Sequence, residues 1–276
     1  MSVEVGFRWL LRDKEIAGGV LGGGLAYRFF FWVMALAVLA AGGLGLASSS
    51  GVDVSTGAER AGLTRALAST VATEAQEAQT GRWWLLLTGA FLFLWFSFGL
   101  LRALRLVHAA AWRIVTKPVA NVVKALAVVV AAPLVVVALV AGAGWVREHS
   151  PRPVGVLATL GVCALLGVLW LWLSTRLPAA EDTDWTAFVP GAVLLAVGFE
   201  ALNLFTVYYL QTKLANASEL YGVLGLATTA LFCLFLIGRG VVWAAELNSV
   251  VWEVRRSRDA GEAEALEGGA GRGRMM

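Results

Sequence analysis

Apolar residues run through this chain in long uninterrupted blocks. Stretches without Asp, Glu, Lys or Arg cover 29–52, 83–101, 125–146, 153–175, 185–199 and 220–238. A helix needs roughly 20 residues to cross a hydrocarbon core of about 30 Å, and all but one of these stretches approach or exceed that length. The short one, 185–199, continues past Glu200 to Lys213 and reads as a full span interrupted by a single acid. None shows the ten-residue alternation of a membrane barrel strand. The pattern predicts an all-α fold, a polytopic bundle of six transmembrane helices at about 26–48, 83–102, 122–146, 153–175, 186–210 and 220–246. Residues 1–14 read as a cytoplasmic or interfacial segment, 15–252 as the transmembrane domain and 253–276 as a largely disordered cytoplasmic tail. Between the first two spans, Leu63, Leu67 and Val71 recur at helical spacing among mixed charges. This predicts an external amphipathic helix over 58–79.

Composition agrees. Of 276 residues, 59% are apolar and 15% charged, against about 25% charged in a typical soluble domain. The mean hydropathy is +0.74. That apolar excess exceeds what one soluble globule of this size can bury. The stretch 16–47 is too long for the apolar core of a secretory leader and contains Arg28, so it is expected to be a retained span.

Lys and Arg set the expected orientation. With both termini inside, thirteen fall on inside segments and six on outside ones, which favours cytoplasmic termini. Arg102, Arg105, Arg113 and Lys117 form a basic collar after the second span, suited to anionic lipid headgroups. Trp9, Trp83, Trp84, Trp112, Trp145, Trp185 and Trp252 fall near predicted span ends, where an amphipathic ring suits the interface.

Catalytic chemistry finds little to work with. His108 and His149 fall on different predicted loops, on opposite sides of the membrane, and the chain has no H-x-x-x-H, C-x-x-C or clustered carboxylate pair. No metal, no cofactor, no nucleic-acid partner and no enzymatic activity are expected. Cys163 and Cys233 read as inert apolar residues. The acids Glu181, Asp182 and Asp184 read as a solvated loop. The glycine cluster at 18–24 lacks the Gly-Lys-Ser/Thr ending of a phosphate loop. Its Gly18/Gly22 and Gly19/Gly23 spacings instead suit close helix packing in lipid.

Polar groups inside spans are the functional suspects. Glu200 lies within the fifth span, with Asn203 and Gln211 within about 60° of it around the helix and Tyr208 at about 80°. On the sixth, Tyr221, Thr228 and Glu246 fall within about 20° of Arg239. Two candidate groups follow. One is an intramembrane polar site of Glu200, Asn203, Tyr208, Gln211, Tyr221 and Thr228. The other is a cytoplasmic-side cluster of Arg239, Glu246, Arg102 and Arg105, in which Arg239 and Glu246 read first as an interfacial pair.

Several of these segments resemble the YihY/BrkB family of bacterial inner-membrane proteins. The matching residues are Gly24-Leu25-Ala26-Tyr27, Trp112-Arg113, Ala132-Pro133-Leu134, Gly198-Phe199-Glu200-Ala201, Tyr221-Gly222-Val223-Leu224-Gly225 and Ala244-Ala245-Glu246-Leu247-Asn248. The resemblance covers about 10–255 and departs from the family at Arg28, where small or apolar residues are usual. It implies six helices with both ends cytoplasmic. It also brings a historical ribonuclease label, which the missing catalytic groups argue against. The expected function is transporter-like, or lipid- and envelope-handling, on an unidentified small-molecule or lipid substrate, with the bilayer as partner. The alternative is a non-transporting structural or interaction protein of the envelope.

Overall fold

The computed structural model describes residues 3–49, 81–115, 151–181, 183–205 and 211–272, with isolated positions between 121 and 135. Among them there is no strand. The helices are α1 (Val3–Glu15), α2 (Gly18–Ser49), α3 (Arg82–Ala111), α4 (Arg152–Ser174), α5 (Val189–Phe205) and α6 (Gln211–Arg272), with a 3₁₀ turn at Trp185–Phe188 before α5. Five stretches are long and apolar enough to cross a membrane: Gly18–Leu46, Arg82–Ala111, Leu157–Ser174, Trp185–Leu202 and Thr228–Gly261. They correspond to five of the six predicted spans. The remaining one, 122–146, and the external helix at 58–79 fall largely or wholly outside the described residues.

The observed elements overrun the predicted bounds at both ends. α2 begins at Gly18 rather than near 26, and α3 continues through Arg102 and Arg105 of the basic collar to Ala111. α6 runs unbroken to Arg272 where the sequence predicts a disordered tail. Ala, Glu, Leu and Arg dominate 253–267, there is no proline, and these are good helix formers. The start of that tail is also part of the body, since Val254 is buried with Val5, Leu247 and Val250.

α2 packs along α3 and α6, α5 against α6 and α4, and α1 against α6. The main core brings together Leu25 and Trp32 of α2, Phe93, Leu100 and Leu104 of α3, Leu195 of α5 and Val241 of α6. Within it Trp32 Nε1 donates to Ser97 Oγ at 2.8 Å, so a buried polar pair is satisfied internally. Small residues set the helix spacing. A Cβ on Gly238 of α6 would stand 2.6 Å from the Gly22 carbonyl oxygen of α2. Only glycine permits that backbone approach. Gly22 is thus used for packing as the sequence suggests, whereas Gly19 and Gly23 meet open space. Gly238→Val is expected to force α2 and α6 apart and cost about 1–3 kcal/mol. Its thermal unfolding in detergent, followed by circular dichroism, checks this.

Two sharp ends position α1. Ala17 takes a left-handed φ of 51° between α1 and α2, a conformation costing a non-glycine residue about 1 kcal/mol. α3 ends with Arg113 left-handed at φ 52°. There the Ile114 N–H donates to Ala109 O and the Arg113 N–H to Ala110 O, the Schellman pattern of a helix C-terminus.

Candidate functional site

α1 carries charges on the face that meets the bundle. At 100° per residue, Arg12, Val5, Trp9 and Asp13 share one arc, while Leu10, Val3, Phe7 and Leu11 share another. The first arc faces protein: Val5 and Arg12 are buried, whereas Val3, Phe7, Leu10 and Leu11 are exposed. Ionic contacts therefore hold much of this helix in place.

Arg12 is 4% exposed. Its Nη2 donates to both Glu253 carboxylate oxygens at 2.7 Å, and its Nη1 to Ala111 O at 2.8 Å. The second bond caps the last turn of α3, where a cation also meets the negative end of the helix dipole. Glu15 links Arg12 to Arg113. Two acids and two bases balance here.

The second cluster does not balance. Arg239 of α6 reaches α1, its Nη1 donating to Asp13 Oδ1 at 2.8 Å and its Nη2 to Oδ2 at 3.0 Å. Its guanidinium also lies 4.7 Å from the Trp243 ring centre, and Trp243 meets Trp9 edge-on at 5.9 Å. Glu246, two turns beyond Arg239, is fully buried. A point one Cβ bond from Gly18 Cα lies 2.0 Å from Asp13 Oδ1 and 2.9 Å from both Arg239 Nη1 and Glu246 Oε1. Three charged side chains thus converge over a glycine at the start of α2. Glu246 neighbours Asp13 and Trp9, yet neither of its carboxyl oxygens nor the Trp9 Nε1 closes a well-formed hydrogen bond.

Sequence reading anticipated Arg239 and Glu246 together and missed Asp13. The cation is paired with the other acid: Arg239 forks onto Asp13, and Glu246 is buried beside them. Asp13 is 226 residues away and lies outside every predicted span. The one available signal was its place in Arg12-Asp13-Lys14-Glu15 just before the glycine cluster. Arg102 and Arg105 are placed elsewhere. Arg102 lies over the Phe98 ring, and Arg105 lines a cavity of about 570 Å³ with Ile114, Arg176, Pro178 and Glu181.

Of the predicted intramembrane site, Glu200 is half-buried on α5, near the Cys163 thiol of α4. An apolar groove of about 310 Å³ between α5 and α6 is lined by Gly198, Phe199, Ala201 and Leu202, its neighbours in sequence. Thr228 is exposed. Tyr208 and the side chains of Asn203, Gln211 and Tyr221 lie outside the described residues. Arg28 donates to Gly99 O at 3.1 Å, joining α2 to α3.

Two more buried polar residues emerge from the fold. His108 sits inside α3 rather than in a loop, fully buried, with Nδ1 3.0 Å from Leu104 O and its ring beside Trp170 of α4. Asn248 Oδ1 accepts the Gly191 N–H at 2.7 Å, tying α6 to α5. Glu246 and Asn248 belong to the Ala244–Asn248 segment, which is buried throughout. No group of three or more potential metal ligands occurs among the described residues. Comparisons with models of known families, with curated protein sequences and with solved structures each find no match.

Proposed function

We propose that this chain is a multi-pass protein of a bacterial cytoplasmic membrane, with both termini cytoplasmic. In this reading it is a transporter or a lipid- and envelope-handling protein acting on a small-molecule or lipid substrate. The observation that carries the reading is the Asp13–Arg239–Glu246 cluster, a buried acid beside a part-buried ion pair where α1, α2 and α6 meet. Ionisable groups in a membrane domain are costly and are usually kept for work on ions or solutes. The residue-level resemblance to the YihY/BrkB family supports the membrane placement with both ends cytoplasmic. Lipid is the natural partner of the outward arc of α1, where exposed Val3, Phe7 and Leu10 lie beside Arg8 and Lys14.

A purely structural envelope protein is the second reading. The direct backbone approach of α2 to α6 at Gly22 and Gly238 favours it. Genetic complementation separates the two. In a strain lacking the protein, wild type should restore the envelope or uptake phenotype. Glu246→Ala, present in the membrane at wild-type level, should restore less than a tenth of it. Full rescue by that variant would remove the cluster from the function and favour the structural role.

A further inference from the structure

The Arg239 guanidinium places one Nη1–H and one Nη2–H on the two Asp13 oxygens in a two-pronged contact. Asp13 is therefore the partnered anion of the cluster. Glu246 is left over: it is fully buried, and neither carboxyl oxygen has a hydrogen-bond donor. Its neighbours are the Asp13 carboxylate, itself only an acceptor, and Trp9. An ionised carboxylate in that position would face a second carboxylate with only the Trp9 N–H and the already engaged Arg239 nearby to offset the repulsion and the burial. One hydrogen atom resolves the conflict, because a protonated Glu246 becomes the donor that the Asp13 oxygen can accept.

We propose that Asp13 and Glu246 form a proton-binding carboxyl pair at the α1–α2 elbow, clamped by Arg239. Glu246 carries the proton as an O–H and donates it to the Asp13 carboxylate, so the cluster holds one negative and one positive charge. Release of the proton leaves two carboxylates competing for one guanidinium, and the α1–α6 contact loosens. The groups facing the pair are Asp13 and Trp9 from α1 and Arg239 from α6, while α2 presents Gly18. Arg12 of α1 is engaged with Glu253 and Ala111, and His108 of α3 with Leu104. The proposal deepens the reading of this cluster as the working site, but its test reads the proton whether or not anything is transported.

Infrared titration of the purified chain in lipid nanodiscs supplies that test. Wild type should show the carbonyl band of a protonated carboxylic acid at neutral pH, shifted in heavy water and fading as the pH is raised. Glu246→Gln should lose this band, Glu200→Gln should keep it, and Asp13→Asn should move it by altering its acceptor. Should the Gln variant not fold, Glu246→Asp retains a carboxyl and should shift the band. Wild-type and Glu246→Gln spectra that share the same carboxylic-acid bands, or a wild-type band unmoved in Glu246→Asp, would overturn the proposal. Full rescue by Glu246→Ala alongside a band lost in Glu246→Gln would remove the transport reading and leave the proton site standing.

Discussion

Replacing Arg239 with leucine is expected to destabilise the folded chain by about 2–4 kcal/mol, somewhat below the range for stripping one partner from a fully buried ion pair. The Arg239 and Asp13 side chains are 13% and 25% exposed, so solvent offers Asp13 little compensation. Removing the guanidinium also removes the contact over Trp243. Arg239→Lys keeps a charge but cannot fork onto both Asp13 oxygens, and should fall between wild type and Arg239→Leu. Asp13→Asn in the Arg239→Leu background should recover part of the loss, because it removes the stranded charge. Denaturant unfolding in detergent, followed by tryptophan fluorescence, measures all four proteins. Equal stability of wild type and Arg239→Leu would mean that the pair contributes nothing to the fold.

Arg12 is the second large effect. Arg12→Met should cost about 3 kcal/mol, since it leaves Glu253 without its cation and Ala111 O without its donor. The damage should be local as well as global. α1 presents Val5 and Trp9 to α6, a small apolar contact for a helix whose other apolar residues face outward. Without Arg12, trypsin should cut after Lys14 many times faster than in wild type, while the α2–α3 core stays protected. Glu253→Gln should have a milder effect, because Glu253 is 34% exposed and water can replace part of the contact. Unchanged cleavage at Lys14 in Arg12→Met would show that Val5 and Trp9 hold the helix without the ion pair.

The sequence by itself determined where the chain is apolar, and hence six predicted spans, five of which are helices long enough to cross a bilayer among the described residues. Length and charge-free composition suffice for that, because lipid demands internally satisfied backbone over a fixed thickness. It also marked Gly22 as a packing position, Arg239 and Glu246 as an interfacial pair, and Cys163 and Cys233 as isolated thiols. Their partners were beyond it. Helical angles relate residues on one helix, so Glu246 read as the partner of Arg239 and Asp13 was invisible. Which acid the guanidinium grips depends on α1 folding back at Ala17 and on Gly18 leaving room for three side chains. The same limit hid His108, placed in a loop by its polarity and buried inside α3 by packing from α4. It hid Arg12 as well, whose work is to cap a helix whose end lies 99 residues away in sequence. Periodicity and composition are properties of a segment, and they found the spans. Charge pairing is a property of the distance between segments, and only the tertiary fold sets that distance.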